Sequence, residues 1–76
     1  MKPTDYWKAQ AKQLIRAEMK RRNLSYADLA SRMQTLGLTA NERTLANKIA
    51  AGGFSAAFFL QCMQAIGTKH LQIDSD

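Results

Sequence analysis

Cysteine and histidine each occur once in this chain, and no apolar run exceeds a handful of residues. Each scarcity removes a class of explanation. Cys62 alone cannot close a disulfide within the chain. With His70 as the sole histidine it cannot build an ordinary zinc site, whose ligands come mostly from these two residue types. Cys62 lies between Gln61 and Met63 in an apolar segment, so the sequence predicts a buried, reduced thiol. The longest apolar run, Ala56 to Leu60, is far short of the ~20 residues that span a bilayer. Met1-Lys2-Pro3-Thr4-Asp5 is polar and lacks the apolar stretch of a secretory signal. A soluble, cytoplasmic protein with no membrane partner is expected. Missing too are a paired-carboxylate cleft, a glycine-rich phosphate loop, metal-ligand spacing and a Cys–His or Ser–His–Asp set. No enzyme, metal or cofactor is therefore predicted.

Acid is scarce as well. The 76 residues carry 11 Lys or Arg against 6 Asp or Glu, a formal charge of +5. The imbalance sits in the body, where Lys8, Lys12, Arg16, Lys20, Arg21, Arg22, Arg32, Arg43 and Lys48 face only Glu18, Asp28 and Glu42. A polyanion is the partner such a charge invites. The length allows one domain, and a core this small barely outweighs the entropy lost on folding. Without disulfide or metal, self-association is the remaining support, and a homodimer is expected.

What is present is a succession of helix starts and stops. Pro3 and Thr4 open helix 1 (about 4–22), with Thr4 expected as N-cap and Asp5 in the first turn. Trp7, Ala11, Leu14, Ile15 and Met19 recur at the helical period and predict its buried stripe. Lys8, Lys12, Arg16 and Lys20 run beside it as a charged ridge; Lys8 and Lys12 read as a solvated face. Ser25 caps helix 2 (about 26–36) with Asp28 as its reciprocal partner, and Leu24 with Leu29 forms a hydrophobic staple. Leu29, Ala30, Met33 and Leu36 are expected to face inward. Gly37 ends the helix, with Leu38 folding back on Met33. Helix 3 (about 41–51) starts either from a Thr39–Glu42 capping box or from Asn41, and Leu45 and Ile49 point to the core. Gly52-Gly53 stops it. Helix 4 (about 56–66) follows Ser55 and is nearly apolar all round, so it is either central to the core or lies at an interface. After Gly67, the alternation around Leu71 and Ile73 in residues 68–76 reads either as a short strand, paired with a second copy, or as a frayed tail.

Helices 2 and 3 together offer what a helix-turn-helix needs: an apolar elbow and a polar outer face on the second helix. Leu29, Ala30, Met33, Leu38, Leu45 and Ile49 supply the elbow; Arg43, Thr44, Asn47 and Lys48 supply the face. Arginine can grip a guanine edge, and asparagine an adenine edge, through paired hydrogen bonds. Lys20, Arg21, Arg22, Arg32 and Lys48 are the expected phosphate-neutralising cations, joined by Ser25 and Thr39 at helix starts. Tyr26 reads either as a phosphate donor or as a surface residue. Trp7 reads as core or dimer contact.

Leu29-Ala30, Thr44-Leu45, Ile49 followed by Gly52, and Ser55 opening an apolar helix that ends in Ile66-Gly67 resemble the lambda-repressor-like (Cro/XRE-type) family. The likeness covers roughly Leu14 to Gly67. It implies an all-α, four-helix DNA-binding domain, usually dimeric, that represses or regulates transcription at short inverted repeats. Its base-reading positions fall on Glu42, Arg43 and Asn47. Two departures stand out: the stretch from Gly37 to Ile49 is a few residues longer than the family's, and Leu45 and Ile49 are four apart where three is more usual. Glu42 reads better as a capping-box partner than as a base reader. Leu45 to Ile49, followed by Phe54 to Cys62, is also similar to a small bacterial family of uncharacterised domains, which supplies no function.

The sequence thus predicts a nucleoid-associated regulator reading duplex DNA with Arg43, Asn47, Thr44 and Glu42, dimeric through helix 4 or the Leu71–Ile73 segment. Its rival is a helical protein-binding adaptor, such as an antitoxin-like module, favoured by the apolar helix 4.

Overall fold

A computed structural model describes residues 2–71, which form four helices: α1 (Thr4–Arg21), α2 (Tyr26–Thr35), α3 (Glu42–Ala51) and α4 (Ala56–Ile66). No strand occurs among the described residues. Gln72 and Ile73, on which a strand pairing would depend, lie outside them. Leu71 packs against the core. No helix among the described residues is long and apolar enough to cross a membrane.

Side-chain caps start three of the helices. Ser25 accepts from the Asp28 N–H at 3.0 Å while Asp28 accepts from the Ser25 N–H at 2.9 Å, the reciprocal box expected from the sequence. Ser55 accepts from the Phe58 N–H at 3.0 Å. At α3 the choice falls on Asn41, whose Oδ1 accepts from the Thr44 N–H at 2.8 Å. Glu42 is therefore the first residue of the helix, and the Thr39–Glu42 box is not formed. Its carboxylate sits beside the positive end of the helix dipole instead. At α1 the cap is Pro3, with no side-chain bond, and Thr4 is already helical. A proline cap serves there because the first N–H groups of a helix need no intrahelical partner and an exposed end leaves them to water.

The helix ends explain where the apolar residues go. Gly37 takes φ +84°, its N–H reaches the Gln34 carbonyl at 2.9 Å, and the Leu38 N–H reaches the Met33 carbonyl at 3.0 Å. That reversal carries Leu38 back onto the core. Leu36, expected inward, is instead 48% exposed. It is the C-cap, where the chain leaves the helical path, and Leu38 takes the inward place.

α1 and α2 each pack against both α3 and α4. Every helix contributes a fully buried side chain, with Ile15, Leu29, Ile49, and Cys62 and Ile66 at the centre. Trp7 does not join them: it is 55% exposed and meets Tyr6 edge-on, ring centroids 4.9 Å apart. At this level of α1 the neighbour is backbone. Gly52 adopts φ +73° so close under Lys8 that a Cβ would lie 2.6 Å from the Lys8 carbonyl oxygen. The buried stripe of α1 therefore starts lower, with Leu14 and Ile15 partly and fully covered.

Candidate nucleic-acid interface

α3 is the element on which the sequence concentrates polar reach, and its inner face is firmly held. Leu45 and Ile49 are buried among residues from the other three helices. At 100° per residue, Arg43 and Asn47 fall on the opposite side. Both are exposed, and neither forms a side-chain hydrogen bond or ion pair with another described residue. Thr44 is exposed beside them, as are Ala50 and Ala51, whose small side chains leave the helix surface open to close approach. Lys48 lies on the flank, its ammonium 5.0 Å from the centre of the Phe58 ring. Glu42 is exposed at the start of α3 and borders a groove shared with Arg16, Lys20 and Tyr26.

The cations of the other elements are placed less freely. Lys20 is exposed at the end of α1. Arg21 and Arg22 both reach Glu18, at 3.2 Å and 2.7 Å. The Arg21 side chain remains 70% exposed, whereas that of Arg22 is only 34% exposed. Glu18 is itself buried and accepts a third bond from the Thr68 hydroxyl at 3.1 Å. The Arg22 bond, chief among these contacts, holds the Glu18 carboxyl below its ordinary range against the opposing effect of burial. Sequence analysis did not single out Glu18. Its spacing of three and four from Arg21 and Arg22 was the available signal; its link to Thr68 was not available.

Arg32 leaves the neighbourhood of α3 altogether. Its guanidinium donates to the Ala65 and Ile66 carbonyls at 3.4 and 3.3 Å, capping the end of α4. The Ser25 hydroxyl accepts from the Asp28 N–H at its own helix start, which leaves its O–H able to donate. Tyr26 is half-buried at the core edge, and Thr39 is exposed in the α2–α3 connection. Of the expected contact residues, those exposed and without a side-chain hydrogen bond or ion pair among the described residues are thus Lys20, Thr39, Glu42, Arg43, Thr44 and Asn47, with Lys48 and Arg21 close to them.

Cys62 is buried, and removal from water pushes its thiol up to about 11, with the Lys48 charge opposing the shift. It stays protonated at neutral pH and is a packing residue rather than a nucleophile. Among the described residues no three His, Cys, Asp or Glu side chains gather at one place.

The model of the domain of unknown function DUF6471 matches residues 7–71. The chain belongs to this family. No curated protein and no solved structure matches it. The DUF6471 match runs from Trp7 to Leu71 and so takes in α2, α3, α4 and nearly all of α1. It agrees with the likeness to a small family of uncharacterised domains drawn from Leu45–Ile49 and Phe54–Cys62.

Proposed function

We propose that this domain binds duplex DNA sequence-specifically, laying α3 in the major groove, and acts as a small transcriptional regulator, in the first instance a repressor. One observation carries the reading. Arg43 and Asn47 stand exposed, with no side-chain partner among the described residues, on a helix whose other face is locked by Leu45 and Ile49. Side chains that read base edges need that combination of fixed backbone and free polar ends. Lys48 on α3, Lys20 in the groove that Glu42 borders, and Arg21 at the end of α1 would supply phosphate neutralisation, which dominates affinity. A homodimer would double the contact and match a site of inverted repeats.

Selection of bound oligonucleotides from a random pool, followed by titration of the selected site and of unrelated duplex, tests the reading. Arg43→Ala should cost about 1–3 kcal/mol on the selected site and much less on unrelated DNA. Equal loss on both removes Arg43 from base readout. Absence of a salt-sensitive complex at low ionic strength sinks DNA binding itself.

A protein-binding adaptor is the second reading, and a specific observation favours it. Leu60 on α4 is 65% exposed and Trp7 on α1 is 55% exposed, large apolar side chains that a partner could cover. Under that reading Leu60→Asp abolishes partner capture while duplex DNA is never bound.

A further inference from the structure

The connection between α2 and α3 is tied down at three places. The Leu38 N–H bonds the Met33 carbonyl at 3.0 Å, the Gln34 amide donates to the Ala40 carbonyl at 2.6 Å, and Asn41 caps α3 at 2.8 Å. Held this way, it walls a cavity of about 360 Å³ between the connection, α3 and α4. That size falls in the range of small-molecule sites. Its lining is mixed: Met33, Leu38, Leu45 and Phe58 are apolar, while Lys48 and Gln61 are polar, as are three further side chains of the connection and α3. Among the described residues Lys48 is the one charged residue in the lining, which holds no carboxylate.

We propose that this cavity binds a small monocarboxylate with an apolar body of about six carbons. Charge selects the ligand's head: Lys48, its ammonium over the Phe58 ring, lines the cavity and can pair with an anionic oxygen, and the Gln61 amide adds a donor. The apolar part of the lining favours an apolar tail, since a polar one laid against Met33, Leu38, Leu45 and Phe58 would give up its hydrogen bonds to water. Lys48 also belongs to the phosphate-contacting flank of α3 in the proposed DNA complex, and Thr44 of α3 borders the same cavity. An occupied cavity therefore draws a cation away from the duplex. Carboxylate and DNA oppose each other, each weakening the other by the same factor. This coupling rests on the DNA-binding reading; the cavity's occupancy does not.

The experiment uses the full chain with labelled methyl groups, titrated with hexanoate and, as its uncharged counterpart, hexanamide. Hexanoate should shift the Met33, Leu38 and Leu45 methyl resonances saturably, and hexanamide should bind at least about threefold more weakly. In Lys48→Met, with helical content unchanged, that preference should vanish. Absence of saturable shifts, shifts that map away from these methyls, equal binding of the two probes, or a preference retained in Lys48→Met would each overturn the site. In a second arm, saturating hexanoate should weaken duplex binding about threefold relative to sodium chloride of matched ionic strength. Unchanged duplex affinity overturns the coupling. Failure to bind duplex at all overturns the DNA reading, while the methyl shifts still decide the cavity.

Discussion

The end of α1 and the outer face of α3 carry the same kind of residue and present it differently. Lys20-Arg21-Arg22 is the densest run of positive charge in the chain, yet two of its three side chains converge on the buried Glu18. Arg43 and Asn47 are sparser, and both are unengaged among the described residues. The difference lies in what stands below each helix. Under α1 is a carboxylate that the fold has removed from water and that must be paired. Under α3 are Leu45 and Ile49, which ask nothing of the polar side. Charge density along a sequence therefore overstates what is available to a polyanion, and a neighbouring buried acid sets the discount.

The comparison can be broken most severely at the foundation of α3. Ile49→Ala should cost about 3–4 kcal/mol in urea-induced unfolding, because a fully buried side chain is lost to a cavity. A loss under about 1 kcal/mol would mean that α3 is not held by its inner face. Next in size is Gly52→Ala. The left-handed backbone and the Lys8 carbonyl 2.6 Å from the new Cβ together predict about 2 kcal/mol or more. Gly37→Ala, with a left-handed φ but open space around it, should cost about 1 kcal/mol. Equal thermal shifts for the two glycine variants would remove the close approach of α1 from the account.

Glu18→Gln sharpens the other side. It should cost about 1–2 kcal/mol, discounted because the Arg21 partner is largely in water. The folded carboxyl titrates below its ordinary range, so its contribution is complete at neutral pH and is lost as pH falls through the folded-state value. Wild type and variant should accordingly converge in acid; a stability gap that stays constant with pH would dismiss the ionised form as the cause. The same substitution frees Arg21 and Arg22. Under the DNA reading, the log–log salt dependence of duplex binding should steepen by about one phosphate contact or more. The smallest effect on folding is expected from Arg43→Ala, within about 0.5 kcal/mol, since its side chain holds nothing in the fold. A larger loss would show that Arg43 is engaged after all.

Local rules explain what could be read in advance. Ser25 and Asp28 are three apart on a short helix, so they find each other wherever the helix lies. Gly37 and Leu38 form their reversal from backbone geometry alone. The candidate site on α3 was legible for the same reason, because Leu45 and Ile49 define an inner side and Arg43 and Asn47 an outer one by helical period. Trp7 and Leu36 were not legible. Each fits the apolar pattern, but Trp7 stays exposed against Tyr6 near the start of α1, and Leu36 stands where its helix has already ended. Arg32 is the parallel case among the cations, since its carbonyl partners lie more than thirty residues away.

The sequence by itself determined the four helices, most of their caps and which side of α3 faces the core, because those follow from interactions within a turn or two. Only the tertiary structure decided which cations remain available, that Glu18 would be buried with Thr68 beside it, and that the α2–α3 connection would wall a cavity with Lys48 in its lining. Those outcomes depend on which distant segments meet and on how much water their meeting excludes, and helical period carries no record of either.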